Sequence, residues 1–281
     1  MTPPSPLRAK PARWSAAASS ARWNAADYAA NSVVQQTWAR ELISRLGLEG
    51  DEAVLDVGCG DGKITAEIAR ALPRGLAIGV DASAEMIAFA RKMFPQRRHA
   101  NLEFRVMDAR RIRVDRKFDL VFSNAALHWV DDHAAFLRGA AAALRPGGRL
   151  LVSCGGRGNA HDVFVALRPE MRLKRWRDFF RRLNPPYFFH SPSEYERWLP
   201  QFGFKVNGVR LAPKDAGYAG SAGFAAWLRT TWLPYVQRVP DDRREEFIAA
   251  VAARYLAKHP PDAEGRVHVR MVRLEIDATR T

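Results

Sequence analysis

The segment Val54-Leu55-Asp56-Val57-Gly58-Cys59-Gly60-Asp61-Gly62-Lys63-Ile64-Thr65 constrains this chain more than any other. An apolar run ends in an acid and passes into three glycines spaced by two, and Ile64, Ile68 and Leu72 then recur every four residues. That order reads as strand, tight loop and helix, the layout by which a parallel sheet offers its backbone to a nucleotide-like ligand. A dinucleotide loop needs GxGxxG, whose third glycine lets the helix pack closely. Here the spacing is GxGxG, and Lys63 occupies the third-glycine position. Asp56 before the loop repels phosphate and suits a cationic or hydrogen-bond-donating ligand. It can equally cap the loop without touching any ligand.

The rest of the chain repeats the alternation. Val34, Trp38, Leu42 and Leu46 mark an amphipathic helix from Asn31 to Leu46, closed by Gly47 and Gly50. Strands are expected at Ala53–Val57, Leu76–Val80, Leu102–Val106, Phe118–Phe122, Leu150–Ser153 and Phe204–Leu211. Val267, Val269, Met271, Val272, Leu274 and Ile276 suggest a seventh strand with a bulge. Helices are expected at Gly62–Leu72, Ser83–Phe94, Asp132–Leu144, Ser221–Leu233 and Asp241–Lys258. Ser83 and Asp132 are expected to act as N-caps, and Asp242 with Glu245 as an acidic capping box. The fold class is therefore α/β, a doubly wound, mostly parallel seven-stranded sheet. Residues 1–22, rich in Pro, Ala, Ser and Arg, read as a disordered basic tail. Residues 23–281 read as one domain, with a ligand-binding half at 50–155 and insertions at 157–200 and 212–262 forming a helical cap.

Two further acids follow strands. Asp81 after the second strand is placed to accept from ribose hydroxyls, and Asp108 after the third lies where an adenine amino group would sit. With the glycine loop they form an ordered series: Asp56-Val57-Gly58-Cys59-Gly60-Asp61-Gly62, Val80-Asp81-Ala82-Ser83, Met107-Asp108-Ala109, Phe122-Ser123-Asn124-Ala125-Ala126-Leu127-His128-Trp129 and Leu144-Arg145-Pro146-Gly147-Gly148. This series resembles the class I S-adenosylmethionine-dependent methyltransferases, which have a Rossmann-like fold. Trp23-Asn24-Ala25-Ala26-Asp27-Tyr28, Leu127-His128-Trp129 and Trp227-Leu228-Arg229-Thr230-Thr231-Trp232-Leu233-Pro234 extend the resemblance to the trans-aconitate methyltransferase group, whose relatives methylate carboxylates.

The resemblance implies that S-adenosyl-L-methionine is the cofactor. Asp56, Gly58, Cys59 and Gly60 would line its methionine part, and Asp81 its ribose. Ala82 and Met86 would flank the adenine, Asp108 and Ala109 its edge. Asn124 and Ala125 begin the block where the reactive methyl meets the acceptor. Trp23, Tyr28, His128 and Trp129 would form the acceptor pocket. His128 is the candidate catalytic acid or base, should the acceptor need one. The alternatives are that Asp108 pairs with Arg110 or Arg111, that Met86 is core, and that Cys59 only fills space.

The net charge is +14 and uneven. Residues 91–117 hold ten basic and three acidic residues, and residues 157–182 hold eight and three. Such fields attract anions. The expected acceptor is a small, anionic molecule methylated on oxygen, probed by one or two of Arg157, Arg172, Lys174, Arg175 and Arg229. The alternatives are an acyl group on an acidic carrier protein and N- or C-methylation of a small metabolite. Nucleic acid is disfavoured, because Asn124-Ala125-Ala126-Leu127 is not the Asn-Pro-Pro-aromatic tetrapeptide of base-nitrogen methyltransferases. Cys59 and Cys154 belong to no metal or disulfide spacing, and no apolar run reaches the roughly 20 residues of a membrane span. A cytoplasmic monomer without metal is expected. A pocket lined by several arginines would indicate a polycarboxylate acceptor, an apolar tunnel a lipid or acyl chain.

Overall fold

The alternating pattern closes into one seven-stranded sheet of order β3-β2-β1-β4-β5-β7-β6. The computed structural model of the chain describes residues 33–184 and 186–281; the expected tail at 1–22 and the pocket candidates Trp23 and Tyr28 lie outside them. The strands are β1 Ala53–Val57, β2 Leu76–Asp81, β3 Leu102–Val106, β4 Phe118–Asn124, β5 Leu144–Gly155, β6 Phe204–Ala219 and β7 Arg266–Arg280. The first five run parallel, and β7 lies antiparallel between β5 and β6. The helices are α1 Val33–Ile43, α2 Lys63–Arg70, α3 Ala84–Met93, α4 His133–Ala143, α5 His161–Arg172, α6 Pro192–Trp198, α7 Gly220–Thr231, α8 Leu233–Val236 and α9 Arg244–Leu256. Strand order reverses between β1 and β4, so the connections leaving them diverge and open a crevice at their C-terminal ends.

The two-residue period of each strand sorts its side chains between two cores. Val54 packs with Ile68 and Leu72 below α2, on the face that also receives Ile87 and Ala90 of α3 and Leu42 of α1. Leu55 and Val57 face the other way, onto Phe136, Leu137 and Ala140 of α4. Both faces are covered, which is why these strands read as continuous apolar runs. Ser83 caps α3 by accepting from the Met86 N–H at 3.2 Å, and Asp132 caps α4 by accepting from the Ala135 N–H at 2.8 Å.

The second half departs from expectation at particular points. Residues 212–219 belong to β6, which pairs with β7 over its whole length, and the bulge sits at Asn207 in β6 rather than in β7. The upper part of this antiparallel pair projects beyond the sheet and carries a third core: Ala216, Val267 and Val269 pack with Val163 and Leu167 of α5, Phe224 and Trp227 of α7, and Phe247 and Val251 of α9. A short polar-looking stretch therefore becomes strand because its partner supplies the ladder. Asp242 and Glu245 form no capping box. α9 starts after a 3-10 turn, with no side-chain cap, and Glu245 instead takes a bidentate pair with Arg229 at 2.7 and 2.6 Å. The helix expected over 221–233 ends at Thr231. A capping arrangement does occur at α6, where Glu194 accepts from the Ser191 N–H at 2.8 Å. Inside α5, Glu170 is buried and neutralised by Arg175 and Arg254 at 2.8 and 3.1 Å, which fastens α5 to α9.

Asp56 ties β1 to α2. Its carboxylate is 2% exposed and accepts from the Thr65 hydroxyl at 2.6 Å. Burial pushes its pKa up to about 7; the Thr65 bond opposes that shift and the Asp81 charge adds to it. A pKa raised on folding stabilises the fold at low pH, and that contribution is lost as pH rises through the folded value. Asn at position 56 keeps the acceptor for Thr65 and never ionises. D56N should therefore gain melting temperature relative to wild type on going from pH 5 to pH 9. A constant difference between the two across that range would contradict a protonated, buried Asp56.

Candidate active site

The glycine loop is held by β2. The Gly58 and Cys59 N–H groups donate to Val80 O at 2.7 and 3.0 Å, while Gly58, Gly60 and Gly62 all have φ between 54° and 80°. The left-handed region favours residues without a Cβ. At Gly58 there is a second reason: a Cβ would lie 2.1 Å from that of Ala126. The loop thus packs directly against the segment leaving β4. Asp81, the last residue of β2, spans the gap between loop and α3. One carboxylate oxygen accepts from the Gly60 N–H at 3.0 Å, the other from the Ser83 N–H at 2.8 Å. Burial raises its pKa and these two bonds counter it.

The other cofactor candidates sit around this bridge in different states. Ala82 is exposed beside it, Asp56 is buried beneath it toward α2, and Cys59 is buried with its thiol pushed well above the ordinary value by loss of solvent. Such a thiol is no nucleophile. Met86 is 3% exposed, a core position. Asp108 is taken up by Arg110, whose Nε lies 2.9 and 3.1 Å from its two oxygens and which also pairs with Asp131 at 3.0 Å. Burial pushes the Asp108 carboxyl up, and Arg110 overcomes that and holds it below its usual value. Ala109 begins the 3-10 turn that Asp108 caps through the Arg110 N–H.

Beyond β4 the backbone is strained. Ala125 adopts φ 57° while its N–H donates to Ser153 O at 2.8 Å. A non-glycine residue in this region is uncommon and is held there by its surroundings. The next turn, Leu127–Trp129, presents His128. The Gly155 N–H donates to His128 Nδ1 at 3.3 Å, which leaves the ring proton on Nε2. Burial, with help from the charge of Arg273, lowers the His128 pKa to about 3. The imidazole is therefore neutral near pH 7, with its basic nitrogen already engaged. This geometry disfavours the general-base role considered for His128.

Arg273 was not singled out by its sequence. Among the described residues it is the one arginine or lysine in the fully buried class, at 3% exposure. Its Nε donates to Ser153 Oγ at 3.1 Å and its Nη2 to Asn124 Oδ1 at 3.1 Å, and the guanidinium lies 5.6 Å from the ring centre of Trp38 on α1. The available signal was an arginine on the face of β7 that carries Val267, Val269 and Met271. The five cations expected to grip an acceptor are paired with carboxylates or exposed. Arg157 pairs with Glu194, Arg175 with Glu170 and Glu246, Arg229 with Glu245, and Arg172 and Lys174 are exposed.

Around His128 the structure gathers rings instead. Trp129, Tyr187 and Phe189 have centroids 5.7, 6.1 and 6.1 Å from the imidazole. Tyr187 donates its hydroxyl to Thr231 O at 3.0 Å, so its polar end is spent on the cap. The site joins a glycine cradle, an acid that bridges loop and helix, and a cluster of aromatic rings around a neutral imidazole near a buried cation. Such a site can hold a nucleoside and align an anionic acceptor.

The comparisons agree with that geometry. Residues 54–148 match the methyltransferase domain family. Trans-aconitate 2-methyltransferase of Methylobacterium nodulans is 31% identical over 275 residues, covering 93% of this chain and 99% of that protein. Its counterpart from Azoarcus is 30% identical, covering 86% and 92%. Phosphoethanolamine N-methyltransferase 2 of Haemonchus contortus, solved with S-adenosyl-L-methionine, shares the fold at a TM-score of 0.57 and 16% identity, covering 91% of this chain and 56% of that one. The glycine cradle, the Asp81 bridge and the near full-length relatives together place the chain in the class I S-adenosylmethionine-dependent methyltransferases, near the trans-aconitate methyltransferase group.

Proposed function

We propose that this enzyme methylates a carboxylate oxygen of a small organic acid. The observation that carries the reading is His128: the imidazole at the transfer end is neutral and its Nδ1 accepts from Gly155. A carboxylate is ionised near pH 7 and needs no base, whereas an amine or phenol acceptor would need one. The names of the full-length relatives, trans-aconitate 2-methyltransferase, support the same acceptor group. A second reading, an acyl group on an acidic carrier protein, draws on the basic surface around β3 and the end of α3, where Lys92, Arg97, Arg98, Arg111, Arg113, Arg116 and Lys117 are exposed.

When bound, S-adenosylmethionine would supply an electrophilic methyl group on a sulfonium for an acceptor oxygen to take. This chain's residues orient and enclose. The cradle of Gly58, Cys59 and Gly60 leaves backbone room for the methionine part. Each Asp81 oxygen has one protein donor and keeps a lone pair for a ribose hydroxyl. Ala82 and Met86 would border the adenine, and the Asp108–Ala109 turn would meet its edge, with Asp108 shared with Arg110. Asn124 and Ala125 set the floor at the transfer end. Neutral His128 can donate from Nε2 to the acceptor carboxylate, and Trp129 helps exclude water.

Three outcomes test this reading. Incubation with labelled cofactor and small acids should yield a base-labile methyl ester; label found only in base-stable amine or carbon products would contradict it. In calorimetry, D81A should weaken binding of S-adenosylhomocysteine by about 1–3 kcal/mol, the cost of leaving buried donors unpaired; unchanged affinity would remove Asp81 from the site. H128Q keeps an acceptor for the Gly155 N–H and should lose less than about tenfold in kcat, since a general base would account for roughly a hundredfold or more. Its kcat should stay level from pH 6 to pH 9, and a collapse beyond a hundredfold would identify a base after all.

A further inference from the structure

We propose that Arg273 is a positioning residue: it turns the Asn124 amide so that the N–H2 group, a donor, is the end offered to the acceptor. This rests on the carboxylate reading above. Asn124 ends β4 and lies opposite Ser153 of β5 in the ladder, and Arg273 of β7 lies opposite Gly155. The guanidinium is held in one place by β5: its Nε donates to Ser153 Oγ at 3.1 Å and its Nη2 to Ser153 O. From there Nη2 reaches Asn124 Oδ1 at 3.1 Å. A guanidinium carries N–H donors and no acceptor, so the amide atom that faces it is the oxygen. The opposite orientation would set two donors against each other. Arg273 and Ser153 are both 3% exposed, so water does not compete for the bonds between them. The planar amide therefore directs its nitrogen, which only donates, away from Arg273.

His128 is polarised in the same sense from the same strand. The Gly155 N–H donates to its Nδ1 at 3.3 Å and leaves the ring proton on Nε2. The two polar side chains of the segment leaving β4 thus each have an accepting end engaged by β5 or β7 and a donating end turned elsewhere. Arg273 supports His128 as well, because its charge opposes protonation of the imidazole, which would break the Gly155 bond. Trp38 of α1 lies over the guanidinium, with its ring centre 5.6 Å away. An ionised carboxylate suits such a pair, since one of its oxygens can accept from a donor while the other meets the methyl group. An amine would bring N–H groups of its own. Set against Asn124 and His128 it would lose hydration and find no acceptor on either side chain.

The test is initial-rate kinetics of the full chain with labelled S-adenosylmethionine, using whichever of trans-aconitate, succinate and benzoate the wild type esterifies fastest. N124D keeps an oxygen for Arg273 and replaces the donor with a charged acceptor. Its KM for that acid should rise at least about tenfold, the scale of one hydrogen bond to a charged group, with a smaller change in kcat. Its affinity for S-adenosylhomocysteine in calorimetry should match wild type. R273M removes the donors that orient the amide and should raise KM in the same way, and R273K, which still only donates, should recover most of that loss. N124D leaves Arg273 in place, so it reads the amide independently of how well R273M folds. An unchanged KM in N124D, or a loss confined to S-adenosylhomocysteine binding, would overturn the proposal and leave carboxylate methylation standing. R273K as impaired as R273M would reduce Arg273 to a structural part. Ester formation from none of the three acids would remove the carboxylate reading and this one with it.

Discussion

The carboxylate of Asp81 is the point from which the site is organised. By accepting from Gly60 on one side and Ser83 on the other, it ties the glycine loop to the start of α3. Both donors are backbone N–H groups just beyond the C-terminal ends of β1 and β2, where leaving them unpaired would be costly. The loop can follow this course because its three glycines tolerate positive φ, and because Gly58 gives way to Ala126. One constraint therefore sets the loop, the turn after β2 and the segment after β4 at fixed distances from one another. The crevice at the strand reversal is built before any ligand arrives.

The second organising feature is the antiparallel β6–β7 pair. Its lower part completes the sheet, with Leu274, Ile276 and Ala278 in the main core. Its upper part stands clear and gives Val267 and Val269 to the cap core. β7 therefore belongs to two cores at once, and Arg273 lies at the junction between them. That position explains how a cation comes to be buried there: Ser153 and Asn124, at the ends of β5 and β4, supply its acceptors.

The glycine loop was legible because its signal is local. Gly58, Gly60 and Gly62 follow closely in the chain and Ser83 stands two residues after Asp81, although the Gly60–Asp81 bond that joins the two segments spans 21 residues. The strands β1 and β2 were legible because burial on both faces writes an apolar run into each, and the edge strand β3 because its Leu102, Phe104 and Val106 alternate with Glu103 and Arg105. The acceptor half is built from residues far apart in the chain, and no spacing rule joins His128 to Tyr187, Phe164 or Arg273. Charge misled in the same region: Arg157, Arg175 and Arg229 looked available as cations, yet Glu194, Glu170 and Glu245 approach them only in three dimensions. Residues 212–219 looked like part of an insertion, and pairing with β7 is what makes them strand.

Asp81 is the proposed cofactor seat and His128 the proposed transfer end. A crystal structure with S-adenosylhomocysteine tests both in one measurement. Ribose hydroxyls within hydrogen-bonding distance of the Asp81 carboxylate, with the sulfur directed toward the Asn124–Trp129 segment, are the predicted result. Nucleoside density away from Asp81, or a sulfur turned from that segment, would contradict it.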